Sequence, residues 1–126
     1  MAKFTSDSVL DAALAETATA TRLSVTTAQP ANFAGIAAVS LGNVTITDGL
    51  GGGDFSAATD GDTSGRKTTL AAQVIASADD DGDATHICLD DGTTLLHVTT
   101  CTSQAVTSGN QVNVPAFDIE FLDVTA

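Results

Sequence analysis

Four side chains able to bind a metal or act as nucleophiles cluster in the C-terminal third: His86, Cys88, His97 and Cys101. Asp91-Gly92 lies between two strand-like runs and signals a hairpin turn. With a two-residue turn, Asp90 pairs with Thr93, Cys88 with Leu95 and His86 with His97. Parity then puts all four Cys and His side chains on one face. Opposed Cβ atoms lie about 4.5–5.5 Å apart, close enough for two histidines to share a zinc ion. The spacing lacks a zinc finger's close ligand pair, and Cys101 lies well beyond His97. The favoured reading is therefore a Thr-rich hairpin that tolerates His, buries Cys as a small hydrophobe and binds no metal. A loop of three residues with a bulge would split the set. Cys88 and Cys101 are expected to remain unbridged. Cys101 falls opposite Gly82, and at about 3.3 Å per residue that is too far from Cys88 for a disulfide.

Two other stretches resemble ligand loops. Asp79-Asp80-Asp81-Gly82-Asp83 has the look of a calcium loop, but aligning Asp79, Asp81 and Asp83 as ligands puts Ala84 where glycine is needed and Asp90 in place of the bidentate Glu. An acidic turn is the better reading. Gly65-Arg66-Lys67-Thr68 imitates the end of a phosphate-binding loop, yet an Arg interrupts it and no helix follows. Gly61-Asp62-Thr63-Ser64-Gly65 is not a nucleophile elbow, because Ser64 sits one position late. These residues support neither catalysis nor a cofactor, and the chain is expected not to be an enzyme.

The 126 residues carry 16 acids and four bases, a net charge of -12. Such a chain is repelled by nucleic acid and anionic membranes, so neither is an expected partner. No apolar run is long enough to span a bilayer. The start, Met1-Ala2-Lys3-Phe4-Thr5-Ser6-Asp7, is not expected to act as a signal peptide. Synthesis in a cytoplasm and reduced thiols are the corresponding expectations. The absence of Trp and Tyr counts against a sugar-binding surface. Arg66 and Lys67 are half of all the bases, so a contact with an acidic neighbouring subunit is weighed against internal pairing with Asp60 and Asp62.

The elements that must position these residues are mostly strands. A helix is expected over about 5–18, with Thr5 as N-cap and a staple between Phe4 and Val9. Val9, Leu10, Ala13 and Leu14 form its apolar stripe. Arg22 to Thr26 alternates as a strand and ends at Gln29-Pro30. Residues 33–38 are ambiguous. Residues 39–47 form a strand with a bulge or bend at Gly42-Asn43. Residues 48–65 read as a glycine-rich surface excursion, with Asp54-Phe55-Ser56 as its anchored part. Arg66 to Ala76 is another strand. Two consecutive hairpins fill about 83–123: Asp83–Asp90 with Thr93–Thr100, then Thr102–Val106 with Gln111–Val114. A closing strand follows, with Phe117, Ile119 and Phe121 on one face. The fold class is mainly β: one domain over 1–126, an antiparallel β-sandwich or flattened barrel with one N-terminal α-helix.

The chain also resembles a small family of tailed-bacteriophage virion proteins. The resemblance is carried at the start by Met1-Ala2-Lys3-Phe4-Thr5-Ser6-Asp7, Val9-Leu10-Asp11-Ala12-Ala13-Leu14 and Ala28-Gln29-Pro30. Further on it runs through Gly53-Asp54-Phe55, Ser64-Gly65-Arg66-Lys67, Ala84-Thr85-His86 and Leu89-Asp90-Asp91-Gly92-Thr93. It continues over Val98-Thr99-Thr100-Cys101-Thr102-Ser103-Gln104 and Val114-Pro115-Ala116-Phe117-Asp118-Ile119, and covers roughly two-thirds of the chain. The family brings no catalytic motif. The resemblance implies a structural component of the particle, a head decoration or cement protein on the outer capsid surface with the major capsid protein as partner. Analogy with other decoration proteins suggests a homo-oligomer, by preference a trimer. The competing readings are a tail, connector or head-fibre component, or a receptor- or glycan-binding module. Lys3, Phe4, Val9, Leu10, Arg66 and Lys67 are the expected subunit-contact residues.

Overall fold

The computed structural model describes residues 4–123. In chain order the elements are α1 (Asp7–Thr17), β1 (Arg22–Thr26), a 3-10 turn (Phe33–Gly35), the one-turn helix α2 (Ile36–Val39) and β2 (Ser40–Thr45). Then come β3 (Thr59–Asp60), β4 (Arg66–Leu70), β5 (Gln73–Ile75), β6 (Gly82–Asp90), β7 (Leu95–Val106), β8 (Val112–Val114) and β9 (Phe117–Phe121). The fold is mainly β, with antiparallel sheets and an N-terminal helix, and the sheets do not close into a barrel. Among the described residues no helix is long and apolar enough to cross a membrane.

The chain divides into two compact units built from interleaved segments. The first combines the segment up to Thr19, Thr47 to Ala71, and the segment from Ala116 on. Its sheet runs β3-β4-β9. Leu10, Leu14 and Thr17 form the buried stripe of α1, a narrower face than the sequence suggests, because Val9 and Ala13 are exposed. The N-cap is Ser6, whose hydroxyl accepts from the Val9 amide, and not Thr5. No Phe4–Val9 staple forms, since the two side chains are 85% and 59% exposed.

The glycine-rich excursion is better ordered than its composition implies. Phe55 is fully buried and bridges to Leu50 and Leu70. Asp54 accepts the Thr47 amide, so Asp54-Phe55-Ser56 is indeed the anchored part. The 61–65 turn closes the β3–β4 pair, with the Gly61 amide donating to the Gly65 carbonyl. Gly65 has φ +71°, and a Cβ there would lie 1.9 Å from the Phe121 carbonyl oxygen. Only glycine fits that approach.

The second unit holds Ala20 to Ile46 and Ala72 to Pro115. Its main sheet runs β2-β1-β6-β7, and β5 pairs with β8 as a separate ribbon. Arg66–Ala76 is therefore two strands in two sheets, not one. The second expected hairpin is also absent. β7 continues as a single strand through Val106, β8 pairs with β5, and β9 pairs with β4. The irregularity in β2 falls one residue before Gly42, where Leu41 is the extra residue between the Val25–Gly42 and Thr26–Ser40 pairs.

β1 is central, and its last four residues are all buried rather than alternating. Its register with β2 and β6 sorts the sheet into two unlike faces. Leu23, Val25, Ile87 and Leu89 share the apolar face. The β5–β8 ribbon lies over that face, and Val112 and Val114 line one cavity together with Val25 and Ile87. This gives a sandwich-like pair of layers within the unit. Arg22, Ser24, Thr26, His86, Cys88 and Asp90 share the other face, which is overlaid by the segment from Phe33 to Ala37.

Candidate functional site

The four His and Cys residues do not converge. The β6–β7 loop spans residues 91–94, so Asp90 pairs with Leu95 rather than Thr93. Asp91 fixes this loop by accepting the amides of Thr93 and Thr94 and the Thr93 hydroxyl. Those bonds hold its carboxyl below the usual range. A bulge follows, His97 falls opposite Leu89, and His86 falls opposite Thr100. His86 and Cys88 thus lie on the polar face, while His97 and Cys101 lie on the apolar one.

Cys88 is fully buried beside the Thr26 hydroxyl, and Cys101 sits near Val25 and Ile87. The thiols therefore project to opposite sides of the sheet. Burial raises the pKa of both, so they stay protonated and poorly nucleophilic at neutral pH. Among the described residues no three His, Cys, Asp or Glu side chains are placed to hold a metal ion.

Arg66 and Lys67 are engaged within their own unit. The Arg66 guanidinium bonds Asp11 and Asp60 at 2.8 Å each and the Ala58 carbonyl at 3.2 Å. Lys67 bonds Asp62 at 2.7 Å and Asp118 at 3.2 Å. These carboxylates raise both cations' pKa values, Asp11 and Asp62 contributing most. Asp118 is held below the usual carboxylate range by the Thr69 hydroxyl and then by Lys67. The internal pairing with Asp60 and Asp62 that the sequence offers as the alternative to a subunit contact is thus present, joined by Asp11 and Asp118. Polar groups of the 61–65 turn are bonded within the first unit. The Asp62 amide donates to the Glu120 carboxylate, and Ser64 accepts from the Asp123 amide.

The other expected contact residues separate. Phe4 and Val9 face solvent, Leu10 is in the core, and Lys3 lies outside the described residues. Leu122 is a further exposed apolar residue of the first unit, 55% exposed.

The arrangement with most chemical character was not anticipated. It is a cavity of about 380 Å³ over the polar face of the second unit. Arg22 and Ser24 contribute from β1, Phe33 and Ile36 from the overlying segment, and Asp79 and Asp80 from the β5–β6 turn. Arg22 Nε donates to Asp90, a fully buried carboxylate, at 2.9 Å, and the guanidinium lies 5.6 Å from the Phe33 ring centroid. Asp90 also accepts the Gly92 amide. Ser24 is fully buried, and its Oγ has no hydrogen-bond partner.

The acidic turn is fixed by its backbone, since the Asp79 and Asp80 amides donate to the Leu41 carbonyl. Asp81 accepts the Ser108 amide. No donor or cation among the described residues bonds the side-chain carboxylates of Asp79 and Asp80. The sequence did carry a signal for the cavity. Arg22, Ser24 and Thr26 alternate as one polar row, and Arg22 is one of only four bases. Alternation reveals two faces, however, and not which of them another segment will cover.

No family model, curated protein or solved structure matches the chain.

Proposed function

We propose that the protein is a non-enzymatic structural component of a tailed-phage virion, a decoration protein bound to the outer surface of the capsid lattice. In this reading the major capsid protein is its partner, and its copies associate by preference around a three-fold axis. The observation that carries the reading is the solvent-facing apolar start of the first unit. Phe4 and Val9 are displayed outward, whereas the nearby cations are already paired with acids of the same chain. Singly exposed apolar residues are ordinary, and contiguous apolar surface marks contact sites; in this reading Phe4 and Val9 belong to one such surface. In a chain of net charge -12, association must draw on apolar burial, because like subunits repel. The open edges of the four-stranded sheet, β2 and β7, are further places for a neighbour to pair. The resemblance at the two ends of the chain points the same way.

The test is copy number and location in purified particles. Hundreds of copies spread over the shell support decoration. A few copies at one vertex replace it with a tail or connector role. A variant with Phe4→Ser and Val9→Ser is expected to keep the fold and to lose occupancy on stripped particles. Wild-type occupancy by that variant would move the contact elsewhere.

A further inference from the structure

We propose that the cavity over the polar face of the second unit is a docking pocket for a lysine side chain presented by a partner protein. Three observations select that occupant. The first is an unused polar atom: Ser24 is one of the residues that line the cavity, and its Oγ is buried without a partner. A buried hydroxyl in that state is costly to leave unmatched, and an incoming ammonium can donate to its oxygen.

The second is charge. Arg22 is the cation on the wall, and its charge is already balanced by buried Asp90. The carboxylates of Asp79 and Asp80 remain, so the pocket favours a cation. More broadly, each cation among the described residues, Arg22, Arg66 and Lys67, is paired within the chain. The charge left over for partners is acidic.

The third is shape. The Arg22 guanidinium already lies against Phe33, so a second planar guanidinium cannot use that contact. A slim aliphatic stem can lie along Phe33 and Ile36 and carry a compact ammonium head to the acids, as lysine side chains do elsewhere. The volume, about 380 Å³, is at the small end for ligand pockets, roughly 300–1,000 Å³. This suits one side chain rather than a cofactor.

The inference concerns the chemistry of the pocket and stands apart from where the protein sits in a particle. The experiment therefore uses the full chain in isolation. Backbone amide spectra are recorded while Nα-acetyl-lysine amide is added, with Nα-acetyl-norleucine amide as the uncharged control. Saturable shifts are expected at Ser24, Asp79 and Asp80 with the lysine probe alone. The double variant Asp79→Asn, Asp80→Asn should weaken binding at least about tenfold, the scale of losing a charge-assisted contact. Those side chains hold nothing else in place, so the rest of its spectrum should match wild type. Ser24→Ala should weaken the probe severalfold. Equal binding of norleucine, shifts that never saturate, or shifts spread over acids elsewhere would each overturn the proposal. Such a failure leaves the decoration reading to its own test of copy number.

Discussion

The two units handle polar side chains in opposite ways. In the first, two largely covered bases each reach two carboxylates that are open to solvent: Arg66 takes Asp11 and Asp60, and Lys67 takes Asp62 and Asp118. Loss of one partner leaves another, and water can replace either. In the second, a row of polar groups is folded under a short segment, with Arg22 and Asp90 as a single pair and Ser24 with none. Water there cannot easily make good a loss. The difference teaches that the number of ion pairs is a poor guide to their importance. A network whose carboxylates are open to water is forgiving, whereas a pair whose carboxylate is fully buried is not.

The sharpest way to test that contrast is Arg22→Met. It leaves the Asp90 carboxylate buried and without its cation, and should cost about 3–5 kcal/mol. Adding Asp90→Leu should recover most of this, because two apolar residues can replace an ion pair at little net cost. Urea unfolding of the single and double variants provides the measurement. If the double variant is no more stable than the single, the buried charge is not the cause.

Glycine substitutions extend the comparison to the two turns. Gly65→Ala combines a positive φ with a Cβ driven into the Phe121 carbonyl. It should cost more than the roughly 1–3 kcal/mol of left-handed strain alone. Gly92 in the 91–94 loop also has positive φ, +94°, but nothing lies within 4 Å of an added Cβ. Gly92→Ala should therefore cost about 1 kcal/mol, the conformational term only. Equal losses in thermal unfolding would mean that the β9 backbone yields to the added methyl group.

Acid separates the units by pH. Burial lowers the pKa of His97 in the second unit below its usual 6.5. The unfolded chain then takes up a proton near 6.5 that the folded chain refuses, so stability should fall as pH drops below 6.5. His97→Gln should remove that dependence. Asp118 in the first unit and Asp91 in the second are held below 3.8. Their contribution is present above about that pH and is lost as pH falls through their lower folded values. A melting temperature that is flat from neutral pH down to 5 in the wild type would contradict the burial of His97.

Local signals in the sequence were legible, and distant pairings were not. Asp91-Gly92 marked the β6–β7 hairpin, and the alternation around Ile119 marked β9. The exact loop was missed because Asp91 caps two amides and favours four residues over two. The cap of α1 was misplaced by one residue, since Thr5 and Ser6 are both competent caps. The pairing of β8 with β5 and of β9 with β4 joins segments far apart in sequence, and no local pattern encodes the partner. A compact second hairpin was the simpler reading, but β7 simply runs on. The cavity was hidden for a related reason. Its floor is a plain alternating strand, while its cover, residues 33–37, is a small-residue stretch of ambiguous pattern.

The smallest expected effect is the one that most directly tests the unsatisfied polar face. Ser24 and Thr26 are neighbours on that face, and both are fully buried. The Thr26 hydroxyl donates to the Ala28 carbonyl at 2.8 Å, whereas Ser24 Oγ bonds nothing. Removing a hydroxyl that has a partner should cost about 1 kcal/mol, so Thr26→Val should destabilise by that order. Removing one without a partner relieves a desolvated polar group, so Ser24→Ala should be neutral or stabilising by up to about 1 kcal/mol. Denaturant midpoints of the two variants, read side by side, give the answer. If Ser24→Ala costs as much as Thr26→Val, the hydroxyl is already satisfied, with a trapped water the natural partner. The pocket would then have to expel that water before any lysine could enter.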